Sequence, residues 1–267
     1  MLSIKNIEAP QILVENRNFL VVYKAPKMHS APGKGTSLVE WLIEKKPESK
    51  SITGGEAGLI NRLDFETQGL VLFAGNRDAY FNFLDQQNKG RIIKNYSALA
   101  SRIENRKSGF PPFNNESFGR NFLEAQVPCI IKSYFRAFGP GRKQVRPVEE
   151  TADKKYLKKH KIQDRIYCTE ILDKRLVDMR LIDNEILSFR IRIRQGFRHQ
   201  IRCHLAWLGR PVLNDTVYGS VKKGMGFRTF GSRTKGSMAL RACGIEFNDP
   251  ESGEPLHYKL PELLIDI

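Results

Sequence analysis

The sequence predicts a soluble globular protein that mixes strands with short helices. Three observations carry this. Apolar residues make up 40% and charged residues 27% of the 267 positions, which suits a sizeable core under a solvated surface. Six segments carry strand patterns, while three place apolar residues at helical spacing. No run of 18 apolar residues occurs, so no segment reads as a membrane-spanning helix.

In chain order, Phe19–Tyr23 is an apolar strand stopped by Ala25-Pro26. Ser37 with Glu40 forms a capping box for a helix striped by Leu38, Trp41 and Leu42. Leu70–Ala74, between Gly69 and Gly75, reads as a buried strand. Asn76 caps a helix reaching about Asn88, with Ala79, Tyr80, Phe83 and Leu84 on its buried face. Arg91–Ala100 is a strand in which Lys94, Tyr96 and Ala98 share one face. Residues 101–131 are weakly patterned and read as a long surface insertion. Tyr167–Leu172 resumes a strand pattern. Leu187–Arg194 alternates Phe189, Ile191 and Ile193 with Arg190, Arg192 and Arg194, the clearest strand in the chain. Phe197, Ile201, Leu205 and Leu208 then follow a helical period, which puts Arg198 and Arg202 one turn apart, on the same side. Met238–Phe247 is the last strand.

Charge narrows the partners. Forty-four Lys and Arg face 29 Asp and Glu, a net of +15, which attracts polyanions, and nucleic acid is the commonest inside cells. Residues 132–165 hold eleven of the basic residues against four acidic ones, a net of +7. That segment reads as a solvated loop or as an arm gripping phosphates. The 220–237 stretch is a second basic, glycine-rich loop. The three arginines of Leu187–Arg194 need an anion across from them, either acidic side chains or phosphate. Cys129, Cys168, Cys203 and Cys243 are widely spaced with no Cys-x-x-Cys pair, and no long apolar run opens the chain. Both features point to reduced thiols and a cytoplasmic protein. His199 and Cys203 lie four apart but lack further ligands of suitable spacing, so no metal is expected.

The chemistry centres on Leu59–Ala74. Arg62-Leu63-Asp64 places an ion-pairable couple among Leu59, Ile60, Leu63 and Phe65. Charges in such company are paired or working. The plain alternative is a structural salt bridge where the strand starts. No phosphate-cradling glycine loop and no nucleophile elbow occurs. A single carboxylate amid apolar groups can still act at a sugar anomeric carbon, by attack or by stabilising developing positive charge.

These residues resemble a family. Ile60-Asn-Arg-Leu-Asp-Phe-Glu-Thr-Gln-Gly-Leu-Val-Leu72 is similar to the HRLDxxTSGLLL signature of the RluA-type RNA pseudouridine synthases. Lys94-Asn-Tyr96 resembles their KxY strand, and Gly196–Pro211 their GRTHQIRVHLAxLGxP segment. Asn214–Gly219 and Leu240–Phe247 resemble the two closing motifs, and Val22–Pro26 an early one. The motifs come in family order over residues 17–260, which reads as one catalytic domain between short tails. Asn61, Gln68, Phe197-Arg198 and Arg241 depart from the pattern.

The resemblance implies an α+β fold with a central, largely antiparallel mixed sheet flanked by helices and loops. It implies isomerisation of uridine in structured RNA to pseudouridine by base flipping, without cofactor or metal. Ribosomal RNA is favoured over transfer RNA because the basic insertions suggest a large footprint. By the same resemblance Asp64 is the essential carboxylate, Tyr96 stacks on the target base, and Arg202 pairs with Asp64. Leu240 lines the pocket, and Arg62 helps hold the flipped nucleotide's place. Arg190, Arg192, Arg194 and Arg198 are expected to contact RNA, and the protein is expected to be a monomer that binds no membrane. The competing function is a catalytically silent RNA-binding or ribosome-assembly protein on the same fold.

Overall fold

The structure is a computed structural model and describes residues 2, 8–33, 35–103, 107–113, 125–177, 185–219 and 237–263. The basic loop expected at 220–237 lies, apart from Ser237, outside these residues, as does much of the 101–131 insertion. The first elements are β1 (Gln11–Glu15), β2 (Phe19–Lys24), α1 (Leu38–Lys45), α2 (Lys50–Thr53), β3 (Gln68–Ala74), α3 (Arg77–Asn88) and β4 (Ile93–Ser101). There follow β5 (Cys129–Phe138), β6 (Gln144–Val148), α4 (Lys154–Lys159), β7 (Tyr167–Val177), β8 (Ile186–Ile193), α5 (Gln200–Trp207), β9 (Leu240–Asn248) and β10 (Pro255–Lys259). The chain divides into two compact units, Met1–Tyr96 with Arg228–Ile267, and Ser97–Phe227, passing from one to the other within β4.

In the first unit the strands run in the order β1-β2-β3-β9, with β10 along β9. β2 lies antiparallel to β1 and β3, and β9 antiparallel to β10. β3 and β9 are parallel, with Gln68 opposite Arg241 and Gly69 opposite Ala242. Gly69 is needed there: at φ +130 a Cβ would sit 2.3 Å from the Ala242 carbonyl oxygen. Both expected caps are present. Ser37 Oγ accepts from the Glu40 N–H at 3.1 Å while the Glu40 carboxylate accepts from the Ser37 N–H at 2.9 Å. Asn76 Oδ1 accepts from the Ala79 N–H at 2.9 Å. The core closes on three edge-on rings, with Phe247 5.0 Å from Phe19 and 5.4 Å from Phe83.

The second unit holds β8-β7-β5-β6, all neighbours antiparallel. Of the pairings described, only β3 with β9 is parallel, in keeping with the largely antiparallel α+β class. β5 pairs with β7 through Cys129–Ser133 and then with β6 through Tyr134–Phe138. Residues 132–165 are therefore folded rather than a loop. The β5–β6 hairpin turns at Gly139-Pro-Gly141, and α4 seats Leu157 against Tyr134, Val148 and Ile162. Net charge hid a hairpin whose buried positions are mostly apolar, with Arg146 and Ser133 the polar ones. All four cysteines are free thiols.

α5 starts later than its apolar period suggested. His199 adopts a left-handed conformation at φ +57, so the helix begins at Gln200. Arg198 lies ahead of it, exposed, and donates to the Arg142 carbonyl at 2.6 Å. Arg198 and Arg202 therefore do not share a helix face. The expected alternation in β8 holds, with acidic side chains of β7 across from it. Arg190 lies 3.1 Å from Asp173, and Arg192 and Arg194 each lie 3.8 Å from Glu170.

Candidate active site

Asp64 opens a tight turn, closed by the Thr67 N–H donating to the Asp64 carbonyl at 3.1 Å just ahead of β3. The preceding backbone is pinned by side chains. The Leu63 N–H donates to Ser30 Oγ at 2.9 Å, and that hydroxyl donates to the Leu63 carbonyl at 2.8 Å. Asn61 Oδ1 accepts from the Leu72 N–H at 2.8 Å, tying the strand to the segment before the turn. Leu63 is buried, Asp64 half-buried and Phe65 exposed, so the carboxylate stands at the lip of an apolar floor.

Lys24, which the sequence reading left unassigned, lies beneath this turn. It is fully buried and sits opposite Gly69 in the β2–β3 register. Its Nζ donates to the carbonyls of Ala25 at 2.9 Å, Met28 at 2.8 Å and Phe65 at 3.3 Å. Burial pushes its pKa down to about 7, and the negative charge of Asp64 opposes that shift. A lysine ending an apolar strand and followed by Ala-Pro was the available signal.

Tyr96 is 6% exposed on β4. Its phenol is raised above the ordinary tyrosine range by burial first, and then by the negative charge of Asp64. Tyr96 thus stands within electrostatic reach of Asp64 in the same unit. Lys94, two residues earlier, is also buried, and desolvation lowers its pKa to about 8. Leu240 is buried at the start of β9. Beside it, Gln68 Oε1 accepts from the Tyr23 hydroxyl at 2.8 Å and from Arg241 Nη2 at 3.3 Å. Gln68 and Arg241, two of the departures from the family pattern, therefore bond to each other.

Arg62 is exposed and forms an ion pair with Glu56. Arg202 belongs to the second unit, and its side chain is 3% exposed. Its Nε donates to Asp215 Oδ2 at 2.7 Å and its Nη2 to Asp215 Oδ1 at 2.9 Å. Asp215 also accepts the N–H groups of Val217 at 2.8 Å and Tyr218 at 3.0 Å. Sequence reasoning missed this carboxylate thirteen residues along the chain. Among the described residues no cluster of three His, Cys, Asp or Glu side chains could hold a metal ion. His199 Nδ1 lies 3.1 Å from the Tyr218 hydroxyl, and Cys203 Sγ faces the Val145 carbonyl.

The family model described as RNA pseudouridylate synthase matches residues 18–207, the span that holds Lys24, Asp64, Tyr96 and Arg202. The chain belongs to this pseudouridylate synthase family. A ribosomal large subunit pseudouridine synthase D of Neisseria meningitidis is 26% identical over 265 residues, covering 95% of this chain and 58% of the relative. An uncharacterized RNA pseudouridine synthase of Bacillus subtilis, YlyB, is 24% identical over 254 residues, covering 94% and 68%. The chain thus spans little more than half the length of the Neisseria relative. Among solved structures, human RNA pseudouridylate synthase domain containing 1 superposes with a TM-score of 0.60 at 20% identity, covering 97% of this chain and 86% of that one. That likeness shows the pseudouridylate synthase fold over 97% of the chain.

Proposed function

We propose that the protein isomerises specific uridines in RNA to pseudouridine, with Asp64 as the essential carboxylate. The observation that supports this best is the Asp64 turn itself. It is held by Ser30 and Lys24, with Tyr96 buried inside the carboxylate's field, in a chain of the pseudouridylate synthase family. The target base leaves its stack, at a cost of a few kcal/mol repaid by stacking and phosphate contacts. The bond from ribose to the ring nitrogen breaks, the uracil turns, and a bond to its carbon 5 forms. Carbon 5 then gives up its hydrogen as a proton to water, while the freed ring nitrogen takes one up. Asp64 either adds to the anomeric carbon or takes a proton from the neighbouring ribose carbon, and both routes start from the ionised carboxylate. Tyr96 gives the detached uracil an aromatic surface, and Leu240 an apolar wall. Arg202, its fork oriented by two bonds to Asp215, is the proposed partner of the Asp64 carboxylate. Arg62 holds the vacated place in the RNA, while Arg190, Arg192, Arg194 and Arg198 meet phosphates.

Ribosomal RNA is the proposed substrate class, supported by the basic hairpin and helix of residues 132–165 and by the name of the Neisseria relative. The test is release of tritium from RNA labelled at uracil carbon 5. Wild-type protein should release label from ribosomal RNA, and Asp64→Asn should release none. Release that survives Asp64→Asn would sink the mechanism. RNA binding with no release from any cellular RNA would instead establish the silent RNA-binding protein.

A further inference from the structure

A cavity of about 520 Å³ opens in the second unit, lined by Phe110, Pro111, Arg136, Glu149, Asp153 and Tyr156 among others. Its size falls within the about 300–1,000 Å³ of small-ligand sites. One wall is the segment around Phe110, held in place by arginines. Arg146 is 1% exposed and donates from Nε to the Ser108 carbonyl at 2.9 Å. Its guanidinium lies 4.4 Å from the Phe110 ring and 4.1 Å from the Phe138 ring, and Arg136 donates to the Gly109 carbonyl at 3.2 Å. The start of α4 lines the cavity as well. There Asp153 Oδ1 accepts the Tyr156 N–H at 2.6 Å as the helix cap, and buried Leu157 anchors the helix. Tyr156 is 40% exposed, and its ring lies 4.3 Å from the His160 ring. Lys154, Lys155, Lys158, Lys159 and Lys161 are exposed around that pair.

We propose that this cavity binds one unpaired guanine nucleotide of the RNA, a site separate from the one that takes the reacting uridine. Tyr156 supplies a ring for the base to stack on, and the lysines of α4 meet the flanking phosphates. Glu149 and Asp153 offer acceptors and no donors when ionised. That selects a base edge carrying adjacent N–H groups, which guanine has. Uracil presents one N–H between two carbonyls and is disfavoured. The proposal rests on the RNA-modifying reading and deepens it, by giving the enzyme a second nucleotide of the RNA to hold.

The experiment titrates 5′-GMP, 5′-UMP and inorganic phosphate into the full-length protein, following Tyr156 and Phe110 resonances by NMR. GMP should bind roughly tenfold more tightly than UMP or phosphate. Tyr156→Ala should weaken GMP roughly tenfold through the lost stack, with Tyr156→Trp restoring it. Glu149→Gln should erase the preference for GMP over UMP. With substrate RNA, Tyr156→Ala should raise KM about tenfold while kcat holds, since the stack lies outside the reacting site. A circular dichroism melt confirms that each variant is folded. Equal binding of GMP and UMP, phosphate as tight as GMP, or GMP binding untouched in a folded Tyr156→Ala protein would each overturn the proposal. Capture of an acidic peptide in place of GMP would do the same. Tritium release separates the two readings. Release with a GMP-blind cavity removes only this inference, whereas a GMP-selective cavity without release removes only the isomerase reading.

Discussion

Asp215→Asn tests how the second unit is held together. Asp215 is fully buried and accepts four hydrogen bonds, two from Arg202 and two from the backbone of its own loop. Asparagine keeps the shape but turns one acceptor into a donor. With its amide nitrogen at the Oδ2 position, it meets the Arg202 Nε–H. With the nitrogen at the Oδ1 position, it meets Arg202 Nη2 and both backbone N–H groups. Either way a donor faces a donor, and the guanidinium, itself 3% exposed, loses the charge of Asp215. Breaking one side of a buried ion pair costs about 3–5 kcal/mol, because the surviving charge stays desolvated. At about 2–4 °C per kcal/mol for a chain of this size, the melting temperature should fall by roughly 6–20 °C. Urea unfolding followed by circular dichroism measures the loss directly. Glu56→Gln, which removes the carboxylate from the exposed Arg62 pair, is the control and should cost about 0–1 kcal/mol. A loss below about 1 kcal/mol for Asp215→Asn would refute the reasoning, since it would make the buried pair no stronger than a surface one.

Three further outcomes are expected. His204 is fully buried between Ser133 and Thr169, and burial pushes its pKa down to about 3. The unfolded chain, with histidine near 6.5, takes up the proton first, so this stability is complete above about 6.5 and lost as pH falls toward 3, at up to about 1.4 kcal/mol per unit. Urea midpoints at pH 7, 6 and 5 should fall more steeply for wild type than for His204→Gln, and parallel lines would count against the buried neutral ring. Lys24 is also lowered, to about 7 from an ordinary 10.5, so its buried charge costs stability below 7 and the cost is relieved as pH rises toward 10.5. Wild-type stability should therefore climb relative to Lys24→Met across that window, and no difference in slope would remove the claim. Gly69→Ala should destabilise by roughly 2–6 kcal/mol, combining backbone strain with overpacking against Ala242. Gly253→Ala, which has a positive φ but open space, should cost far less in the same chemical melts.

Local signals were the most legible in the sequence. Ser37 with Glu40 and Asn76 with Ala79 lie within one helical turn, and both caps form as read. The alternation in β8 survives because its two faces meet different surroundings, the core on one side and the β7 carboxylates on the other. Long-range pairings left no such trace. Nothing near Lys24 announces that its ammonium will also reach the Phe65 carbonyl, 41 residues along the chain. Arg241 and Gln68 read as separate departures from a motif, and only the parallel register of β3 with β9 makes them partners. For Arg202 the resemblance drew attention to Asp64, while the carboxylate it grips within its own unit stood unexamined in Asn214–Gly219. In residues 132–165 the density of charge masked the apolar positions of β5, β6 and α4.

The division of the first unit into two stretches of chain has a consequence for how the protein comes off the ribosome. Ser97–Phe227 is continuous and can fold as soon as it has emerged. The unit carrying Asp64 cannot, because β9, the strand that abuts Gly69 and carries Leu240, is translated more than 140 residues after the first segment ends at Tyr96. At about 5–20 residues per second that is a wait of roughly 7–29 s. Through that interval β3 has an open edge where β9 will dock, and Asp64 lacks the strand that completes its surroundings. A nascent chain thus exposes its basic unit to RNA well before it possesses a finished catalytic unit.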